Sequence, residues 1–150
     1  MKLAEALQER ADVQRRLAQL KGRLRLNARV QEGESPSEDP KALLAELDGL
    51  AARLEELVRR INLTNAATDD GGEPLTALIA RRDTLQTKAS ILRDFLEEAS
   101  SLASRSMRSE IKIKSTVNVA EKRREADALA REIRLLDSRI QQRNWLADLL

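Results

Sequence analysis

Six apolar residues between positions 43 and 61 recur at alternating spacings of four and three: Leu43, Leu47, Leu50, Leu54, Leu57 and Ile61. This spacing places all six side chains on one face of an α-helix. It therefore predicts a long amphipathic helix over about 41 to 66. A second row, Leu44, Ala51 and Val58, widens the apolar face, which favours a helical bundle over an isolated two-stranded coiled coil.

Three further segments have apolar residues at helical spacing. The first runs from about Lys2 to Asn27, and the Pro- and Gly-containing stretch Gln31 to Pro40 separates it from the second helix. The third begins near Pro74 and extends to about Ser106. The fourth begins after Asn118, which can cap the helix while Glu121 reaches back in a capping box.

The composition agrees with a helical protein. Phe95 and Trp145 are the only aromatic residues, and 35% of the chain is charged, as expected of long helices with wide solvated faces. We therefore predict an all-α fold, an antiparallel bundle of four long helices with one short extended segment near 110–118. Residues 1–150 are expected to form a single helical-bundle domain.

Charge is segregated along the first half of the chain. Residues 1–31 hold eight basic and three acidic side chains, whereas residues 32–56 hold eight acidic and two basic ones. An antiparallel hairpin of the first two helices would bring these segments together and neutralise them. The pattern indicates pairing within the chain more strongly than a charged ligand.

Residues 110–119 alternate in the two-residue period of a half-buried strand. A single strand leaves backbone donors and acceptors unpaired, so it needs a partner. The partner is either the short extended candidate around Arg29 to Gln31 or the same segment of a second copy; the alternative is a solvated linker. The residues expected to contact another copy are Ile111, Ile113 and Val117.

Several polar residues lie at or beside positions that the helical pattern assigns to the core, where an unpaired polar group is costly. One interpretation is a satisfied network that fixes helix register; another is a pocket between helices 3 and 4 that binds a small anion or metal; a third is an exposed face. The residues concerned are Arg82, Asp83, Arg108, Glu110, Asp127, Arg134, Asp137, Gln141, Asn144, Asn62 and Asn65.

Absent residue types narrow the possible chemistry. With no Cys and no His, the chain has no thiolate nucleophile and no imidazole base or metal ligand. It has no Glu-x-x-Glu pair in a convincing place and no glycine-rich phosphate loop. We expect no catalytic residue, metal or cofactor, and the sequence leans against an enzyme without deciding the question.

No stretch is apolar enough to span a membrane or serve as a secretory leader, so a cytoplasmic location without membrane contact is expected. A basic cluster, Arg105, Arg108, Lys112 and Lys114, faces one acid, Glu110. Such a patch supports only weak, salt-sensitive phosphate contact, and no aromatic residues are available to stack on bases. The sequence therefore argues against specific nucleic-acid binding.

Short segments along nearly the whole chain resemble a bacterial family often labelled septicolysin-like: Met1–Leu7 (MKLAEAL), Val30–Glu34 (VQEGE), Ile61–Asn65 (INLTN), Arg81–Asp83 (RRD), Arg108–Ile111 (RSEI) and Leu136–Trp145. The resemblance implies a helical bundle that assembles into oligomers, and it implies no activity, substrate or site. The label suggests a cytolysin, but the chain shows no secretion signal and no strand hairpin of pore-forming length.

The function expected from the sequence is that of a homo-oligomeric helical-bundle protein with a structural or interaction role. The alternative is a small-ligand or metal-dependent enzyme that uses a polar pocket between helices 3 and 4, and the third is weak nucleic-acid binding. Self-association is the expected partnership.

Overall fold

The computed structural model describes residues 1–102 and 111–150. It contains four long α-helices: α1 (Leu3–Leu26), α2 (Pro40–Ala67), α3 (Leu75–Ser100) and α4 (Val119–Leu146). The predicted all-α class and its four long helices are confirmed. Contacts divide the chain into two compact units, unit 1 (Met1–Pro74 and Arg143–Leu150) and unit 2 (Leu75–Gln142). The single domain over residues 1–150 stays a prediction.

In unit 1, α1 and α2 pack as an antiparallel hairpin. Their ion pairs define its direction: Arg53 of α2 binds Glu9 near the start of α1, whereas Arg23 near the end of α1 binds Glu46 early in α2. Arg23 also binds Glu38 in the connecting loop. The segregated charges thus pair within the chain.

The faces that α1 and α2 bury follow the apolar spacing of the sequence. Leu3, Ala6, Val13 and Leu20 of α1 are buried, as are Leu43, Leu50, Leu57 and Ile61 of α2. Leu47 and Leu54 are half-buried, and the second row of α2 is open, with Leu44 50% and Val58 36% exposed. The second row therefore does not widen the buried face.

The connections of unit 1 are fixed by side chains that cap and brace them. Asn27 follows α1 and accepts a hydrogen bond from the Glu38 backbone N–H through its Oδ1, and Asp39 caps α2 by accepting from Lys41 N–H. After α2, Gly71 and Gly72 adopt positive φ angles of 69° and 94°, which L-residues rarely adopt.

In unit 2, α3 and α4 also run antiparallel. Arg82 near the start of α3 binds Asp137 in the second half of α4. Leu75, Leu78 and Leu96 of α3 and Leu129, Leu136 and Ile140 of α4 are buried. Asn118 caps α4 as predicted, its Oδ1 accepting from Glu121 N–H at 3.1 Å.

Helix α3 stops short of the end predicted near Ser106, a position that lies outside the described residues. The helix ends at Ser100, where Ser101 N–H bonds the Glu98 carbonyl instead of a carbonyl four residues back. The serine run explains this end, because Ser100 Oγ also bonds the Glu97 carbonyl and competes with the helical backbone.

The predicted extended segment lies between α3 and α4. Residues 111–118 are non-helical and form no strand ladder with any described residue, and Val119 already belongs to α4. Residue 110 lies outside the described residues. Pairing of this segment with another copy stays a prediction.

Candidate functional site

The polar residues singled out in the sequence are distributed over both units. Arg108 and Glu110 lie outside the described residues. Unit 1 contains Asn62, Asn65 and Asn144, and unit 2 contains Arg82, Asp83, Asp127, Arg134, Asp137 and Gln141.

Arg82 is the centre of the best-connected polar group in unit 2. Its Nη1 lies 3.0 Å from Asp137 Oδ1, and its Nη2 lies 2.9 Å from Asp83 Oδ1. Burial alone would lower the pKa of Arg82, but the hydrogen bonds to the two carboxylates outweigh it and raise that pKa. One guanidinium binds both carboxylates, and its bond to Asp137 links α3 to α4.

Asp127 and Arg134 lie instead in an open groove of about 740 Å³ on one side of the α3–α4 hairpin. Small residues at the contact, Ala89 on α3 and Ala126 on α4, leave space between the helices. The other residues that line the groove are Gln86, Arg93, Leu96, Glu97, Ser100, Arg123, Ala130 and Ile133.

Three arginines border this groove: Arg93 on α3, and Arg123 and Arg134 on α4. None of them forms an ion pair with another residue in the described part of the chain. Glu97 and Asp127 line the same groove, so three arginines stand against two carboxylates. An apolar groove with a small excess of positive charge is suited to an amphipathic anion or to the side chains of a partner helix. Sequence reasoning missed Arg93 and Arg123 because they lie outside the apolar seams.

The amide residues of unit 1 differ in exposure. Asn62 is exposed, as is Gln141 in unit 2. Asn144 is buried, Asn65 is half-buried, and the buried Oδ1 atom of each lacks a hydrogen-bond donor among the described residues. Neither amide is part of a described network.

A contact that the sequence did not reveal ties the last residues to both helices of unit 1. Lys2 Nζ lies 2.7 Å from Asp148 Oδ1, and Leu149 N–H donates to the Met1 carbonyl at 2.9 Å. Arg60 Nε donates to the Leu150 carbonyl at 2.6 Å. These bonds join the last residues to the start of the chain and to α2.

The second feature missed in the sequence is an exposed row on α3 beside its buried face, which we call the outer stripe: Thr84, Lys88, Ile91, Phe95 and Glu98. Ile91 is 66% and Phe95 44% exposed. The signal was present, because these five residues are spaced four, three, four and three apart. It was overlooked because the adjacent row from Leu75 to Leu96 explains the helix by itself.

Among the residues expected to contact another copy, Ile113 adjoins the end of the outer stripe. Ile111 is 79% and Ile113 40% exposed, and Val117 is half-buried. Ile113 lines a depression of about 460 Å³ together with Phe95 and Leu102. Apolar side chains of the outer stripe and of segment 111–118 therefore border the same hollow.

Within residues 1–102 and 111–150, no group of three or more Asp and Glu side chains is arranged to hold a metal ion. Among the same residues, no helix has an apolar stretch sufficient to cross a bilayer.

Comparison with known proteins identifies relatives but no activity. A family model described as a family of unknown function (DUF6847) matches residues 10–149. The crystal structure of a functionally unknown conserved protein from Corynebacterium diphtheriae is similar, with 42% sequence identity and a TM-score of 0.95 over 100% of this chain and 99% of that one. No curated protein matches the chain.

Proposed function

Because the chain belongs to the DUF6847 family, for which no function is given, we propose a role from its own surfaces: a homo-oligomeric helical protein with a structural or interaction role. The proposal concerns binding rather than chemistry. It is carried by one observation, the exposed apolar residues on the outer stripe of α3.

Large apolar side chains are expensive to leave in water when they lie together. Ile91 and Phe95 are four residues apart on one helix face, and Leu102 and Ile113 border the adjoining hollow. Phe and Ile clustered in this way are typical of a surface that another protein covers. A second copy of the chain could cover this surface, and no other protein would then be needed.

The Arg82 group supports a structural role for the polar residues. Asp83 and Asp137 both bind the same guanidinium through their Oδ1 atoms. In this position an ion pair fixes the register of α3 against α4.

Co-purification of two differently sized copies tests self-association. An affinity-tagged chain and an untagged chain are expressed together, and the tagged chain is isolated at physiological salt. We expect the untagged chain to be retained, and retention to fall on dilution. Loss of the untagged chain at every concentration would rule out a stable homo-oligomer.

Two further elements belong to this proposal. We also propose a cytoplasmic location, which cell fractionation with an antibody against the chain tests.

We further propose membership in the septicolysin-like family, which would agree with oligomer formation. Cytolytic activity is not part of this proposal.

A second candidate function is binding of a small amphipathic anion, and the groove of unit 2 favours it. The apolar floor includes Leu96 and Ile133, and the rim includes Arg93, Arg123 and Arg134. Octanoate should raise the melting temperature of the chain, and the neutral octanamide should not. The variant Arg134→Gln should lose this difference, whereas Arg131→Gln, outside the groove, should keep it.

A further inference from the structure

We infer that the outer stripe of α3 binds the same stripe of a second copy in antiparallel orientation, around a two-fold axis that crosses the stripe at the level of position 93. The inference rests on the proposed self-association and names the surface responsible. It is drawn from the order of charged and apolar residues along one exposed helix face.

The outer stripe has the spacing of a coiled-coil seam. Its members Lys88, Ile91, Phe95 and Glu98 are separated by three, four and three residues, so they project from one side of α3. All four are exposed, although α3 already buries an adjacent row against the rest of its own chain. The helix therefore has a second row, apolar at Ile91 and Phe95, that stays exposed in the described chain.

When two copies of the stripe run in opposite directions, apolar residues lie opposite apolar residues and positive residues lie opposite negative ones. Two antiparallel copies aligned about position 93 place Ile91 opposite the partner's Phe95, and Phe95 opposite the partner's Ile91. The same alignment places Lys88 opposite the partner's Glu98 at one end, and the two-fold axis repeats this pair at the other end. Two apolar layers thus lie between two outer layers, and each outer layer pairs one lysine with one glutamate.

A parallel arrangement of the two stripes lacks this complementarity. It would place Lys88 against Lys88 and Glu98 against Glu98, and like charges at a seam disfavour that orientation. Lys88 and Glu98 are both available, because neither forms an ion pair with a described residue of its own chain. The charges select the antiparallel register, and the apolar layers contribute the burial.

The surface beside the central layers extends the contact. Phe95 also borders the hollow that contains Leu102 and Ile113, so a partner helix over Phe95 would lie next to exposed apolar groups. On the α4 side, Lys122 and Glu125 pair with each other and line a neighbouring groove with Ile91. The contact remains small, so we expect an equilibrium that shifts with concentration.

Single cysteines test the register directly, because the chain has no natural cysteine. The variants Lys88→Cys and Glu98→Cys are purified separately and oxidised with oxidised glutathione, alone and as a mixture. Opposite positions in the antiparallel pair are within disulfide reach, whereas residue 88 lies about 15 Å along the axis from its own copy. We expect a disulfide-linked dimer in the mixture and little in either single variant.

Charge reversal supplies an independent measurement on the same pair. Lys88→Glu should raise the dissociation constant at least roughly tenfold, because each ionic layer then holds two acids. The double variant Lys88→Glu with Glu98→Lys restores opposite charges and should restore self-association. Both positions are exposed, and an unchanged circular dichroism spectrum checks that the helices persist.

The outcomes separate this inference from the proposed function. An unmodified chain that stays monomeric at every concentration by light scattering overturns both. A second outcome overturns only the inference about the outer stripe. In it the unmodified chain self-associates, the mixed cysteine variants do not cross-link, and the Lys88→Glu variant keeps the mass of the parent. If the Ile113→Pro substitution dissociates that oligomer, segment 111–118 makes the contact instead. Cross-linking of the Lys88→Cys variant with its own copy would overturn the antiparallel register.

Discussion

Arg82 Nη1 lies 3.0 Å from Asp137 Oδ1, which joins α3 to α4 across 55 positions of the sequence. Arg82 has a side chain only 21% exposed, whereas that of Asp137 is 43% exposed. The pair is thus partly solvated, and it fixes which turn of α3 lies beside which turn of α4.

Replacing Asp137 by Ala should destabilise the chain by about 1 kcal/mol, because Arg82 loses one partner but keeps Asp83. Glu132→Ala is the matched control on the same helix, since Glu132 is exposed and has no described partner. Urea unfolding gives both values. Equal effects for the two variants would show that the Arg82 link contributes nothing to stability.

The buried seam of α2 makes a sharper prediction. Leu57 is 0% exposed and Leu44 is 50% exposed, although both belong to leucine rows of the same helix. Leu57→Ala should cost about 2–5 kcal/mol through lost burial and a cavity, and Leu44→Ala should cost less than about 1 kcal/mol. The free energies of unfolding from urea titration decide between them; similar losses would contradict the packing of α2.

Acid should weaken unit 1 because several of its carboxylates are held by basic side chains. Arg53 lowers the pKa of Glu9, and Arg23 lowers the pKa of Glu38, both below the ordinary value of 4.5. Since the folded state lowers these pKa values, the stabilisation is complete above 4.5 and is lost as the pH falls through the lowered values.

The melting temperature measured from neutral pH down to about pH 3 tests this dependence. Glu9→Gln should lower the melting temperature at neutral pH and make its decline in acid shallower. Glu55→Gln is the control, because Glu55 is exposed and has no described ion pair. If the melting temperature of Glu9→Gln falls with pH as steeply as that of the parent, Glu9 does not contribute to the acid sensitivity.

The proposed α3 contact predicts a stabilising substitution. Asp94 is exposed and lies on the side of the outer stripe away from the half-buried Leu92 and the buried Leu96. Near a two-fold axis at position 93 it would face its own copy, so two negative charges would be close. Asp94→Asn should therefore tighten self-association, most strongly at low salt. Sedimentation velocity at two salt concentrations measures the change, and weaker association in the variant would contradict the placement of the axis.

The helices could be predicted from the sequence because their apolar periods are long and regular. Leu43, Leu50, Leu57 and Ile61 follow the helical period and are buried. The period does not say how much of each apolar row is covered, and the structure leaves Leu44 and Val58 of the second row open. The end of α3 at Ser100 depends on local side-chain bonding, which periodicity does not describe.

The polar groups were partly recognisable for a similar reason. Arg82 and Asp137 interrupt apolar rows, and the structure places them in contact. Contacts such as Arg60 with the Leu150 carbonyl use a backbone acceptor far along the chain, and no residue pattern marks such an acceptor. The open groove beside Arg93 depends on the spacing of two helices, which a single sequence does not determine.

Sedimentation equilibrium of the unmodified chain tests the central claim, self-association, most directly. The chain has a mass of 16.9 kDa. We expect a weight-average mass that rises with concentration from this value towards twice this value at physiological salt. A mass that stays at 16.9 kDa from dilute solution to the highest attainable concentration would contradict it.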